Sequence, residues 1–168
     1  MGYKKTSDII AVSFGLVEPA ANTFVQDEVA LQLDVLNNEI FVVLGVDMDL
    51  TNPNAIAATD TANRASLTST SSAIVSSLEN SNCIASARES IRAAGFVDGG
   101  VSFTRAAETS PMGNLDYIAI IATNNFFVQL EGLANAQIMG VTGRLWGYRA
   151  RADATTYAAL VQSEVLSS

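Results

Sequence analysis

Residues 29–50 read VALQLDVLNNEIFVVLGVDMDL, and the fold class turns on this stretch. Val29, Leu31, Leu33 and Val35 alternate with Ala30, Gln32 and Asp34, the period-two pattern of a strand with one buried face. Asn37-Asn38 follows, two residues that tolerate left-handed backbone and commonly turn hairpins. Beyond them Ile40, Val42, Leu44, Val46, Met48 and Leu50 share one parity. Phe41 and Val43 are apolar too, so this second strand reads as central and covered on both faces near its start. Asp47 and Asp49 mark where its outer face meets solvent. The stretch predicts a hairpin, with Val29–Leu36 paired to Ile40–Leu50.

On the N-terminal side, Ile9–Val17 reads as a strand ended by Glu18-Pro19, and residues 1–8, with Lys4 and Lys5, read as a flexible arm. On the C-terminal side, residues 51–82 are rich in Ser, Thr, Ala and Asn, with sparse apolar anchors at Leu67, Ile74, Val75 and Leu78. They read as a long surface excursion or as an exposed strand of low hydrophobicity. An internal helix is expected next: Asn82 as N-cap, Ile84, Ala87 and Ile91 on one face, Arg88, Glu89 and Arg92 on the other, and Gly95 as its end. A strand Val101–Ala106 and a loop Thr109–Asn114 follow. Leu115–Ala122 carries apolar residues on both parities, Asn124-Asn125 repeats the turn chemistry, and Phe126–Leu133 runs back. Ile138–Arg151 is a long strand whose Gly140, Gly143 and Gly147 suggest bulges or close backbone approach. Asp153 can cap a short C-terminal helix with Tyr157, Leu160, Val161 and Val165 on one stripe.

Neither a repeat nor an interdomain linker interrupts residues 1–168, which read as one β-sandwich domain. Seven or so strands joined by hairpins and long loops imply antiparallel sheets, and strands apolar on both faces require a second layer. The expected class is mainly β: an antiparallel sandwich or roll with one internal helix and a short C-terminal helix.

The chain has 168 residues, 9 Lys+Arg, 17 Asp+Glu, no His and one Cys. Without histidine there is no imidazole base, no Ser-His-Asp or Cys-His relay and no His-ligated zinc. No G-x-S-x-G elbow or phosphate-binding glycine loop is present, and the glycines at 140, 143 and 147 lie within a strand. No catalytic residue and no cofactor is expected. Paired carboxylates remain the one histidine-free route, a glycoside hydrolase type of chemistry. Asp47 and Asp49 are the pair to consider, and Asp47-x-Asp49-x-Thr51 also resembles the opening of a calcium loop, without the glycine and terminal glutamate of an EF-hand. Cys83 reads as a buried thiol. No secretory signal and no stretch of about 20 apolar residues is visible, so a cytosolic origin and no membrane span are expected. Met1-Gly2-Tyr3-Lys4-Lys5-Thr6 fits only the permissive myristoylation pattern.

Net charge of −8 disfavours sequence-specific nucleic-acid binding, which needs cations against phosphates. Nine acids and no base lie between Thr6 and Asn63, whereas Arg144, Arg149 and Arg151 come late, beside Trp146 and Tyr148. Aromatic residues and arginine are enriched at protein–protein hot spots. Arg144, Trp146, Tyr148, Arg149 and Arg151 are therefore the candidate subunit interface; the alternative is that the aromatics are ordinary core residues with arginines snorkelling beside them. With 15% charged residues, much of the surface is uncharged, which suits a chain partly covered by partners.

The lysine-bearing N-terminal segment, the strands Val29–Leu36 and Ile40–Leu50, the Ser/Thr/Asn/Ala-rich excursion and the strands within Leu115–Arg151 together resemble viral capsid proteins of the single jelly-roll type. That resemblance implies a structural subunit that assembles a shell with copies of itself and with other virion proteins, made in the host cytoplasm and located in the virion. It carries over no catalytic residue. The acidic balance departs from capsid proteins whose basic arm holds the genome. The competing readings are a β-sandwich ligand- or carbohydrate-binding module and, behind it, a carboxylate-based hydrolase.

Overall fold

A computed structural model describes residues 2–97, 100–105 and 115–167. Ten strands form: β1 (Tyr3–Lys5), β2 (Ile10–Val17), β3 (Val25–Ala30), β4 (Glu39–Leu50), β5 (Thr61–Thr68), β6 (Cys83–Arg92), β7 (Val101–Arg105), β8 (Ala119–Ile121), β9 (Asn125–Leu133) and β10 (Gly140–Ala152). A 3-10 turn (Val35–Asn37) precedes β4, and a helix, α1 (Ala154–Leu166), follows β10. Sheet 1 runs β2-β10-β4-β8, with β1 on the same edge of β10 as β2; sheet 2 runs β3-β9-β5-β6-β7. All these pairings are antiparallel. From β2 to β5, and again from β7 to β10, each successive strand changes sheet. That interleaving is the jelly-roll form of the sandwich, so the mainly β class holds, as does the C-terminal helix.

The expected hairpin and the expected internal helix are both corrected. The hairpin at Asn37-Asn38 does not form, because β3 pairs with β9 in sheet 2 while β4 pairs with β10 and β8 in sheet 1. Asn38 does adopt left-handed backbone, at φ 55°, but it uses it to end the 3-10 turn as the chain crosses between sheets. Leu31 and Leu33 lie past the end of β3 and plug the core there, 4% and 6% exposed. Asn124 holds this crossover: its carbonyl accepts from Leu31 N at 3.0 Å and its side chain from Leu33 N at 2.6 Å. The internal helix is also absent, since residues 83–92 are β6. Ala85 and Ala87 face the core with Ser86 between them on the outer face, an alternation that the i, i+3, i+7 spacing of Ile84, Ala87 and Ile91 disguised.

β4 meets the need for apolar cover on both sides through a bulge. Its register against β10 slips at Leu44, between Gly45 opposite Trp146 and Val43 opposite Gly147. The extra residue inverts the parity. Phe41 and Val43 on one side of it, and Val46 and Met48 on the other, therefore all enter the core between the sheets. Ile40 and Val42 face the opposite way, into a second apolar cluster with Ala150 and Ala152 that Tyr157, Leu160 and Val161 of α1 cover. Leu44 itself is half-buried. Leu33→Ala should cost about 2–5 kcal/mol, as truncation of a buried leucine does, and Leu44→Ala clearly less. Denaturant melts giving equal losses at both positions would be incompatible with the bulge. Gly143 and Gly147 of β10 confirm close backbone approach: a Cβ on Gly143 would lie 2.5 Å from the Asp47 carbonyl oxygen, and one on Gly147 would collide with the Val42 carbonyl.

The segment left open at 51–82 contains β5, buried along almost its whole length. Its outward Ser66 and Thr68 are covered by the chain that follows. The Ser66 hydroxyl donates to Gln129 Oε1 at 2.7 Å and accepts from Ser76 N at 3.0 Å, while Gln129 Nε2 donates to Thr68 at 2.7 Å. A polar flap thus satisfies a polar sheet face, which the hydrophobic pattern cannot register. The expected flexible arm is likewise corrected over residues 3–5, which pair with residues 150–152 as β1.

Helix α1 begins at Asp153, whose side chain accepts from Thr156 N at 2.7 Å. Near its end the buried Glu164 carboxylate accepts from Ala122 N at 2.7 Å and Thr123 N at 3.2 Å, tying the helix to sheet 1. Burial pushes this carboxyl above its ordinary 4.5, against the lowering effect of those N–H groups. A raised folded pKa means the folded state holds the proton more tightly. Stability should therefore fall as pH rises from 4.5 through the raised value. Asp60 and Asp153 have the opposite sign. Backbone N–H groups of Ala94 and Ala93, and of Thr156, hold them below 3.8, so their contribution is lost only as pH falls below that value. Guanidinium melts at successive pH values should show the first loss above pH 4.5 in the native chain and not in Glu164→Gln.

Candidate functional site

Alternation along β10 divides the late aromatic and basic residues between two faces. Thr142, Arg144, Trp146 and Tyr148 point outward from sheet 1, whereas Arg149 and Arg151 lie on the opposite parity. Arg149 is engaged within the chain. Its guanidinium donates to the Leu31 carbonyl at 2.5 Å, to the Gln32 carbonyl at 3.2 Å and to Glu39 Oε1 at 2.7 Å. It clamps the β3–β4 crossover, where Gln32 is held at φ 54°. Arg151 is exposed and, behind the Asn37 amide, helps hold the Asp34 carboxyl below its ordinary value. Tyr148 lies under β1: Lys5 Nζ stands 4.9 Å from its ring centroid. Burial, together with the hydrogen bond to Tyr148, pushes the Tyr3 hydroxyl up to about 12.

Arg144 and Trp146 remain on the open face. Arg144 is exposed and stands in register between Ser13 of β2 and Asp47 of β4. Trp146 is half-buried, opposite the small residues Ala11 and Gly45. With Asp49, Thr142, Phe14 and Gly143 they line a hollow of about 470 Å³. Two separate sequence readings, the acid pair and the Arg–Trp pair, therefore meet on one surface, because β4 and β10 are neighbours. An alternating strand also puts Asp47 and Asp49 on the same side.

This arrangement limits the chemistry. A guanidinium beside the two carboxylates already offsets part of their charge, so a divalent cation would bind next to a fixed positive group. Among the described residues no three His, Cys, Asp or Glu side chains are grouped to hold a metal. The two acids share one face of one strand instead of facing each other across a cleft, the arrangement glycoside hydrolysis requires. The buried acids are committed elsewhere: Glu164 to α1 docking, and Glu18 to the backbone N–H groups of Thr23, Gly132 and Met139. Cys83 is half-buried, not fully buried as expected, and burial pushes its thiol up.

Several large apolar side chains lie open at loops and chain ends, with Leu36 92%, Val97 85%, Leu166 75% and Ile74 69% exposed. None of these was read from the sequence as an outward apolar residue: Leu36 stood at the end of a predicted strand, and Ile74 stood as an apolar anchor in a polar segment. No helix among the described residues is long and apolar enough to cross a membrane.

No protein-family model matches the chain, and no curated protein matches it. Among the solved structures that are similar is one of Desmodium yellow mottle tymovirus. It is 12% identical, the match covers 84% of this chain and 87% of that one, and the TM-score is 0.34. The jelly-roll assignment itself rests on the strand order and register.

Proposed function

We propose that this chain is a structural subunit of a viral capsid, assembling with copies of itself. The observation that carries the reading is a jelly roll whose interior is solid and whose apolar surplus lies outside. Phe14, Phe41, Phe126, Leu130 and Leu145 fill the space between the sheets, leaving it to packing and not to a ligand. Leu36, Ile74, Val97 and Leu166 meanwhile face solvent on a chain with only 15% charged residues. Fold alone does not fix function, but open apolar side chains suit contacts that bury them. Burial at about 25 cal/mol per Å² supplies the association energy, whereas exposed ion pairs add only about 0–1 kcal/mol each. Within the candidate interface, Arg144 and Trp146 are the residues free to meet a neighbour, with Arg151 at the margin. Arg149 acts on the fold of its own chain.

Sedimentation and electron microscopy of the purified chain test this reading. A large uniform assembly is expected, weakened only modestly by salt and impaired by Leu36→Glu or Arg144→Glu with the circular dichroism spectrum intact. A 17.7 kDa monomer at high concentration across salt and pH would overturn it. The second reading, a carbohydrate-binding module, is favoured by one observation: Trp146 beside Asp47, Asp49, Ser13 and Thr142 in a shallow hollow. Glycan binding abolished by Trp146→Ala in a monomeric protein would select it.

A further inference from the structure

Arg64, Arg88 and Arg105 are widely separated in sequence, yet sheet 2 sets them in one row. Arg64 of β5 lies directly opposite Arg88 of β6, and Arg88 directly opposite Arg105 of β7. Adjacent strands are about 4.8 Å apart, so three guanidinium-bearing side chains leave one outer face within roughly 10 Å. Like charges directly opposite destabilise a sheet. The row continues to Glu131 of β9, which is opposite Arg64 and forms an ion pair with it. That is one carboxylate for three cations. Among the described residues neither Arg88 nor Arg105 forms an ion pair, and Arg64 Nε is buried without a hydrogen-bond partner. The three arginines line a hollow of about 290 Å³, with the hydroxyls of Ser77 and Ser86 and the ring of Phe103.

We propose that this row is a binding site for a phosphate-bearing anion. Guanidinium groups only donate hydrogen bonds, and serine hydroxyls can donate as well. The lining therefore suits a ligand that only accepts and carries more than one negative charge. Guanidinium forks match phosphate oxygens two at a time. Three forks from three strands offer more donors than a single planar carboxylate can take, and a pyrophosphate or a phosphodiester run reaches along the row. The ligand also offsets the repulsion that the ladder builds into the sheet. The site lies on the sandwich face opposite the Arg144–Trp146 surface, and it stands whether or not the chain forms a shell.

Calorimetric titration of the full chain at low salt, with inorganic pyrophosphate and separately with a short oligothymidylate, tests the site. One pyrophosphate per chain is expected, with Arg88→Gln and Arg105→Gln each weakening it at least about tenfold, as loss of a charged hydrogen bond does. Arg144→Gln should leave it unchanged. The two ladder variants should melt no lower than the native chain, because each removes a like-charge contact, and pyrophosphate should raise the melting temperature of the native chain and of Arg144→Gln more than that of either ladder variant. Oligothymidylate that competes with pyrophosphate assigns a nucleic-acid backbone as the source; pyrophosphate binding without it assigns a small free phosphate compound. Absence of binding by both probes, binding that survives the double variant, or a polyglutamate peptide that binds more tightly than either would overturn the proposal.

Discussion

Phe126→Ala is expected to lower the unfolding free energy by about 3–5 kcal/mol, the range for a phenylalanine truncated in a close-packed core. Phe126 is 0% exposed and presents its ring to Phe14 edge-on, with centroids 6.1 Å apart and planes at 84°. The two rings come from different sheets, β9 in one and β2 in the other, so the contact spans the sandwich. Truncation leaves a cavity that neither sheet can close without shifting its whole ladder. Urea melts read by tryptophan fluorescence and by circular dichroism should move together. A loss below about 1 kcal/mol would mean that the two sheets do not meet at this ring.

Glu18→Ala is expected to cost about 3 kcal/mol or more, from a residue that composition would place on the surface. Its carboxylate is 2% exposed and accepts from Thr23 N at 2.8 Å, Gly132 N at 3.0 Å and Met139 N at 2.8 Å. These groups belong to the loop after β2, the end of β9 and the approach to β10, so one side chain closes one end of the roll. Removal strands three donors, and an unsatisfied buried N–H costs about 1–3 kcal/mol. The cradle is also tight, since a Cβ on Gly132 would lie 2.8 Å from Glu18 Oε1. Glu18→Gln should fall between native and Ala, because its amide keeps one acceptor and turns an NH2 toward a second N–H. Hydrogen exchange should quicken first at Gly132 and Met139. Protection there unchanged in Glu18→Ala would rule out the staple.

The alternating and two-sided apolar runs were enough to place β2, β4, β9 and β10 within a residue or two. The Asp153 cap and the stripe above it likewise foretold α1, because each of these signals is local. Periodicity records which side of a strand avoids water, and a cap records which N–H groups lack a partner. Absence of histidine restricted the chemistry for the same reason, since it holds in any fold. Pairing is not local. Val29–Leu36 and Ile40–Leu50 carry hairpin patterning, yet they join different sheets, because Asn124 and Arg149 satisfy the crossover backbone from more than ninety residues away. β5 escaped notice because its buried outer face is satisfied by serine, threonine and glutamine hydrogen bonds, which leave no hydrophobic trace. Residues 83–92 suited helix and strand alike, and an open edge beside β5 decided for the strand. The meeting of Asp47 with Arg144, and of Arg64 with Arg88 and Arg105, was set by register. One residue of slip would have sent each of these charges to the other face, and register is fixed only when the two sheets close on a common core.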